Sequence, residues 1–135
     1  GGSRVAGCVS GRRWCSVCLG GREPSAGRAP GRLGGWVDPA RRDNVWVKLS
    51  GADRLTKTGA PYADVTPFAQ RLIEVAPGRM LWGSDWPHTG VFDAARTPDD
   101  GALVDALFEF APDESVRRKI LVDNPCRLLG IEENQ

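Results

Sequence analysis

The sequence predicts an α/β fold built on a parallel sheet, and three observations support it. Two short apolar segments have the length and composition of strands, and each is followed by a segment with the apolar period of a helix. Capping residues stand where these helical segments begin. Strands that alternate with helices along a chain favour parallel βαβ geometry with a right-handed crossover.

Residues 44–50 form the first predicted strand, because apolar side chains alternate along them. One face carries Val45, Val47 and Leu49. The other face carries Trp46, Lys48 and Ser50.

The first predicted helix spans residues 67–76. Thr66 is its expected N-cap, and Pro67 occupies the favoured first helical position. Its apolar face carries Phe68, Leu72 and Val75. The helix is expected to end at Pro77 and Gly78.

Residues 79–83 form the second predicted strand, a nearly continuous apolar run typical of a strand buried on both faces. A helix is expected over residues 101–110, after the capping sequence of residues 97–100, with acids in its first turn. Its apolar face carries Leu103, Leu107 and Phe110.

The C-terminal residues predict two more helical segments. Residues 113–122 are expected to form a helix that buries Val116, Ile120 and Leu121. A last short turn of helix starts at Asn124 and is closed by Gly130.

Composition divides the chain near residue 43. Residues 1–43 hold ten of the 17 Gly and three of the four Cys, with a net charge of +5, whereas residues 44–135 carry −4. Glycine raises the entropy cost of ordering a chain, and little apolar surface offsets that cost here. We therefore expect an irregular, disordered Gly/Arg-rich segment over residues 1–43 and a folded domain over residues 44–135.

The total charge and hydropathy bound the partners and the location. A net charge of +1 argues against a nucleic-acid partner. No apolar stretch approaches the roughly 20 residues of a membrane helix, so no membrane partner is expected. Four Cys without a readable signal peptide favour free thiols, and the expected location is the cytoplasm.

Polar residues follow both predicted strands, at the edge where parallel α/β folds bind ligands. Asp85 follows the second strand, where a carboxylate is costly unless it is solvated, paired or bound to a cation. The alternative is that Asp85 merely caps the loop. His88, the only histidine, could meet Asp85 in a tight turn or hydrogen-bond the loop. Arg54, after the first strand, could hold a substrate carboxylate or remain solvated.

Two binding functions compete with an enzymatic one in the N-terminal segment. Cys8, Cys15 and Cys18 could begin a zinc site, which would need the distant Cys126 and His88 to complete it. Arg–Gly sequences can also bind RNA through flexible cationic contacts.

Four motifs resemble the amidohydrolase-related superfamily, and within it the branch of 2-pyrone-4,6-dicarboxylate lactonase and related sugar lactonases. The motifs are KLSGADR (48–54), PYADVTPFA (61–69), LWGSDWPH (81–88) and NPCRLLG (124–130). The resemblance implies a TIM (β/α)₈ barrel, of which this chain supplies about strands 7 and 8 with their helices. We expect residues 1–43 to match no part of the family.

The resemblance also implies roles for the polar residues. Asp85 matches a catalytic aspartate, the general base for water attacking a lactone ring, and Arg54 matches an arginine that binds a substrate carboxylate. His88 is implied as substrate-binding or as support for Asp85. The implied partner is a small anionic, dicarboxylate lactone.

No cofactor is implied for this branch, but in metal-dependent members Asp85 would also meet a divalent metal such as zinc. The family's other strands and its His-x-His pair have no counterpart here. We therefore expect a truncated, weakly active or inactive fragment with an incomplete active site. A metal-dependent decarboxylase or hydrolase branch and a non-enzymatic Cys-containing binding module stay open, as does the oligomeric state.

Overall fold

The computed structural model of the chain describes residues 15–18, 37–88 and 91–131. Three parallel strands form one sheet in the order β1 (Cys15–Cys18), β2 (Val45–Leu49) and β3 (Met80–Trp82). Cys15 lies opposite Val45, and Val47 lies opposite Met80. The fold is therefore α/β with a parallel sheet, as predicted.

Helices connect and follow these strands. They are α1 (Val37–Ala40), α2 (Ala52–Leu55), α3 (Thr66–Val75), α4 (Asp100–Phe110), α5 (Glu114–Arg118) and α6 (Asn124–Leu129). Single 3₁₀ turns span Pro77–Arg79 and Ala94–Arg96, and a π-helical segment, Lys119–Asp123, joins α5 to α6.

Two elements differ from the irregular segment expected over residues 1–43. Strand β1 pairs in parallel with β2, and helix α1 precedes β2. A four-residue strand has too few residues to show a period, and its main-chain partner, β2, lies far along the sequence. The sheet therefore has three strands where the sequence predicted two. Residues 1–14 and 19–36 lie outside the described residues.

The core lies between one face of the sheet and the helices. Val45, Val47 and Leu49 all belong to the buried apolar cluster, which confirms the predicted face of β2. The largest fully buried side chains are Val47, Leu49, Leu72, Met80 and Ile120. Burying one such side chain contributes roughly 1.5–3 kcal/mol, so this cluster fixes the strands that carry the site.

Helix α3 begins differently from the prediction. Thr66 is already helical and Val65 occupies the N-cap position, so the assignment of Thr66 as the cap is wrong. The chain enters the helix through a turn in which the amides of Val65 and Thr66 both donate to the Tyr62 carbonyl. The Thr66 hydroxyl donates back to the same carbonyl at 3.3 Å instead of capping. Phe68 and Leu72 are buried as expected.

Helix α4 follows the prediction closely. The Asp99 carboxylate accepts a hydrogen bond from the Gly101 amide at 2.7 Å, which confirms the acidic cap. The predicted apolar face is confirmed, since all of its members are buried: Leu103, Leu107 and Phe110.

The segment after α4 departs from a regular helix. Ile120 is fully buried, but Leu121, predicted to be buried, is 48% exposed. The segment Lys119–Asp123 is π-helical, and its wider turn changes the angle between successive side chains, so Leu121 falls off the buried face. Helix α6 ends at Gly130, which adopts φ 68°, as the predicted glycine cap requires.

Asn124 attaches the C-terminal helices to β3. The residue is 3% exposed, and its side-chain amide donates to the carbonyls of Pro77 and Met80, each at 2.8 Å. Arg79, just before β3, donates to the Val45 carbonyl at 3.1 Å and to the Ala40 carbonyl at 2.7 Å. These bonds hold the N-terminal end of β3, so its C-terminal end is fixed in place for the residues that follow.

Candidate active site

The two residues predicted to bind and activate substrate are in contact. Nη2 of Arg54, on α2 after β2, lies 2.6 Å from Oδ2 of Asp85, which follows β3. Because β2 and β3 are parallel neighbours, the residues after them meet at one edge of the sheet. Their side chains are 34% and 22% exposed, so the pair is partly shielded from water yet reachable from it.

A glycine turn brings Arg54 to this edge. The Ser50 amide donates to the Lys48 carbonyl at 2.9 Å, and the Arg54 amide donates to the Gly51 carbonyl at 3.0 Å. Gly51 adopts φ 75°, a conformation that costs glycine little and other residues more. The chain therefore turns at once from β2 into α2, whose third residue is Arg54.

Asp85 lies in a strained turn. Asp85 and His88 have φ values of 70° and 55°, and the His88 amide donates to the Asp85 carbonyl at 2.8 Å. A non-glycine residue in this region costs roughly 1–3 kcal/mol, and such residues cluster at functional sites. The turn thus fixes the direction of the Asp85 carboxylate at the end of β3.

His88 contacts helix α4 rather than the Asp85 carboxylate. Its side chain is 4% exposed, and Nε2 lies 2.9 Å from Oδ1 of Asp100. Its Nδ1 atom is buried and has no hydrogen-bond partner among the described residues. The imidazole therefore links the Asp85 turn to the first residue of α4.

A buried layer behind the site was missed by sequence reasoning. Tyr62 is 4% exposed, and its pKa is raised first by burial and then by the negative charges of Asp53 and Asp99. Asp53 adjoins Arg54 in the sequence, and its buried Oδ1 has no partner among the described residues. The motif PYADVTPFA contains Tyr62, but no feature of that motif signals a role beside two carboxylates.

The described residues do not by themselves form a metal site. Within residues 37–88 and 91–131, no group of three His, Cys, Asp or Glu side chains could hold a metal ion. Asp85 pairs with Arg54 and His88 with Asp100, so this donor set does not fit a metal and we assign no step to one. Cys8 of the zinc alternative lies outside the described residues. No described helix is long and apolar enough to cross a membrane.

Parallel (β/α)₈ barrels carry their active sites at the C-terminal edge of their strands, which is the edge where Arg54 and Asp85 meet. The amidohydrolase family model matches residues 29–131, and the chain belongs to this family. The match begins before residue 44, so the expectation that residues 1–43 match no part of the family is wrong for residues 29–43.

The curated relatives include lactone-processing enzymes. The chain is 60% identical over 94 residues to a 4-sulfomuconolactone hydrolase of Rhizobium radiobacter. This match covers 70% of this chain and 31% of that protein. It is 47% identical over 98 residues to a 2-pyrone-4,6-dicarboxylate hydrolase of Comamonas testosteroni, covering 67% and 32%. The chain thus spans about a third of the length of these relatives.

Two solved structures match the fold of the chain. A Pseudomonas putida crystal structure described as a 2-pyrone-4,6-dicarboxylic acid hydrolase matches with a TM-score of 0.63 and 29% identity, covering 88% of this chain and 44% of that one. An Agrobacterium tumefaciens structure matches with a TM-score of 0.64 and 34% identity, covering 78% and 37%.

Proposed function

We propose that the chain supplies the seventh and eighth strands of a (β/α)₈ barrel that hydrolyses anionic lactones. The observation that carries this proposal is the 2.6 Å contact between Arg54 and Asp85 at the C-terminal edge of the sheet. The two curated hydrolases named above act, by their names, on a sulfonated and a dicarboxylated ring, so an anionic substrate is the common element.

Asp85 is the proposed general base. Its carboxylate removes a proton from the water that attacks the ring carbonyl, and it then returns that proton to the ring oxygen as the ring opens. A base has to be held at a fixed position, because small displacements cost rate. The strained turn and the Arg54 contact supply that restraint here.

Arg54 is the proposed binding residue for an anionic group of the substrate. Its side chain is 34% exposed, so an anion can approach it, and its planar fork suits a carboxylate or a sulfonate. Its contact with Asp85 places the bound ring beside the base. We propose that His88 positions the Asp85 turn rather than binding substrate, because its imidazole is buried against Asp100. The cytoplasmic location and the lack of a nucleic-acid partner remain predictions.

A chimera tests the proposed function, because a relative supplies the part of the barrel that lies outside this chain. The matched 94-residue segment would replace its counterpart in the Rhizobium radiobacter hydrolase. We expect the chimera to hydrolyse 4-sulfomuconolactone, and the same chimera with Asp85→Asn to lose turnover. A folded, inactive chimera, or an active Asp85→Asn chimera, would refute the proposal.

A further inference from the structure

The side chain of Lys48 lies on the face of the sheet opposite the apolar core. Its neighbours in β2, Val47 and Leu49, both belong to the apolar core on the helix side. Side chains alternate along a strand, so Lys48 points away from that core. Lys48 has no role in the proposed hydrolysis.

The aliphatic chain of Lys48 crosses to the end of the next strand. A Cβ atom placed on Gly83 would lie 3.7 Å from Lys48 Cδ and 3.9 Å from its Nζ. Gly83 directly follows β3, and Asp85 comes two residues later. The ammonium group therefore reaches the edge of the sheet that carries the Arg54–Asp85 pair.

Lys48 differs from Arg54 in its charge partner. Lys48 is partly buried, and no carboxylate among the described residues lies within ion-pair distance of it, whereas Arg54 contacts Asp85. A shielded ammonium is costly unless an anion compensates it. Ser50, whose amide donates to the Lys48 carbonyl, is 3% exposed, and its buried hydroxyl has no hydrogen-bond partner among the described residues.

We propose that Lys48, with the hydroxyl of Ser50 two residues further along the chain, binds a second anionic group of the substrate, a carboxylate or sulfonate other than the one that Arg54 holds. This inference rests on the proposed function and assigns a residue of this chain to the second anionic group of its substrate. Two cations, one within β2 and one on the helix that follows it, would hold both anionic groups of one ring and so fix its carbonyl relative to Asp85.

Benzene-1,3-dicarboxylate tests the inference in the chain as it exists, because this dianion has no lactone bond and reports binding alone. Benzoate is the matched monoanion. Titrations followed by amide chemical shifts would compare the wild-type chain with Lys48→Met, which keeps the packing against Gly83 but removes the charge. Lys119→Met removes an exposed charge from the π-helical segment and is the control.

We expect the wild-type chain to prefer the dicarboxylate to benzoate by about tenfold, the scale of one charge-assisted contact. Lys48→Met abolishes this preference, Lys48→Arg keeps most of it, and Lys119→Met leaves it unchanged. Thermal melting of each variant checks the fold, and rescue by Lys48→Arg separates charge from packing.

Equal dianion binding by Lys48→Met and Lys119→Met would overturn the inference, as would a wild-type chain that shows no dianion preference or no binding. A chain that prefers the dianion through Lys48, paired with a folded chimera that does not hydrolyse a lactone, would uphold the anion site and refute only the proposed reaction.

Discussion

Nη2 of Arg54 and Oδ2 of Asp85, 2.6 Å apart, join the segments that follow two neighbouring parallel strands. The proposed anion-binding residue and the proposed base therefore form one unit. Removing either side chain leaves the other charge without this partner at a partly shielded position, so each substitution affects the orientation of the remaining residue. To assign the base and the anion-binding residue, kcat and KM have to be measured separately for each variant.

The first prediction separates the two roles in the chimera. Asp85→Asn keeps a side chain that tolerates positive φ, yet it removes the base, and we expect kcat to fall by about 10²–10⁴. Arg54→Met is expected to raise KM for anionic lactones by about tenfold or more, with a smaller fall in kcat, because Asp85 loses a restraint. Steady-state kinetics on 4-sulfomuconolactone give both constants.

Arg71→Met is the control for this experiment, since Arg71 lies on α3 with a 53% exposed side chain and its guanidinium pairs with Glu74 of the same helix. It should leave both constants within about twofold of the parent chimera. A fall in kcat without a rise in KM for Arg54→Met would remove Arg54 from substrate binding.

The second prediction concerns His88 as a positioning residue. His88→Asn tolerates the φ of 55° but shortens the side chain that reaches Asp100. We expect kcat in the chimera to fall by about tenfold while KM stays within about twofold, since the Asp85 turn loosens and the anion contacts persist. Asp100→Asn should act in the same direction, and the double variant should lose less than the product of the two effects. A rise in KM with kcat unchanged would instead mark His88 as substrate-binding.

The third prediction uses the chain's only tyrosine. The pKa of Tyr62 is raised above 10.0 by burial and by Asp53 and Asp99, so the folded chain favours the neutral phenol. This contribution to stability is complete below pH 10.0 and is lost as the pH rises from that value through the raised pKa of Tyr62.

Phenolate absorbance in the near ultraviolet reports Tyr62 alone. Asp53→Asn should lower the pKa of Tyr62 towards its ordinary value, because one negative charge is removed. Asp105→Asn, an exposed position on α4, is the control and should not change it. An identical Tyr62 titration in the Asp53→Asn chain would show that Asp53 does not act on the phenol.

The sequence predicted the regular part of the fold because periodicity is a local property. The alternation over residues 45–49 and the acidic cap at Asp99 needed no distant partner to be recognised. Strand β1 was missed because its strand character depends on pairing with β2. Leu121 was misplaced because a π-helical segment breaks the 3.6-residue period that predicted its burial.

The candidate site was predictable residue by residue but not in its contacts. Asp85 and Arg54 each stood out after a strand, yet only the parallel pairing of β2 and β3 brings them together. The partner of His88, Asp100, lies on a helix that no local sequence pattern places beside the turn. Lys48 was placed on the correct face, but its reach to Gly83 depends on the spacing between strands.

The fourth prediction concerns the loop between α2 and α3. The pKa of Asp64 is lowered from 3.8 to about 2, because its carboxylate accepts hydrogen bonds from the Thr56 hydroxyl, the Lys57 amide and the Thr58 hydroxyl. The ionised form thus stabilises the fold at pH values above 3.8, and this contribution is lost as the pH falls towards 2.

Asp64→Asn should therefore lower the free energy of unfolding at neutral pH, and the difference from the wild-type chain should shrink as the pH falls below 3.8. Urea unfolding at a series of pH values measures it, and carboxyl-carbon NMR titration measures the pKa directly. Asp105→Asn again serves as the exposed control. A difference that does not change with pH would mean that the loop depends on side-chain shape rather than on the charge of Asp64.

The fifth prediction tests how the C-terminal helices support the site. Asn124 donates to the carbonyls of Pro77 and Met80 at 2.8 Å, and it is 3% exposed. Asn124→Ala leaves both carbonyls without this donor in a buried place, which should cost about 2–3 kcal/mol of unfolding free energy. Cys126→Ala, a partly buried neighbour on the same helix, is the matched control and should cost less.

Because β3 leads directly to Asp85, Asn124→Ala should also weaken amide-exchange protection along β3. Protection that stays unchanged there would show that the strand is held by its sheet pairing with β2 and not by α6.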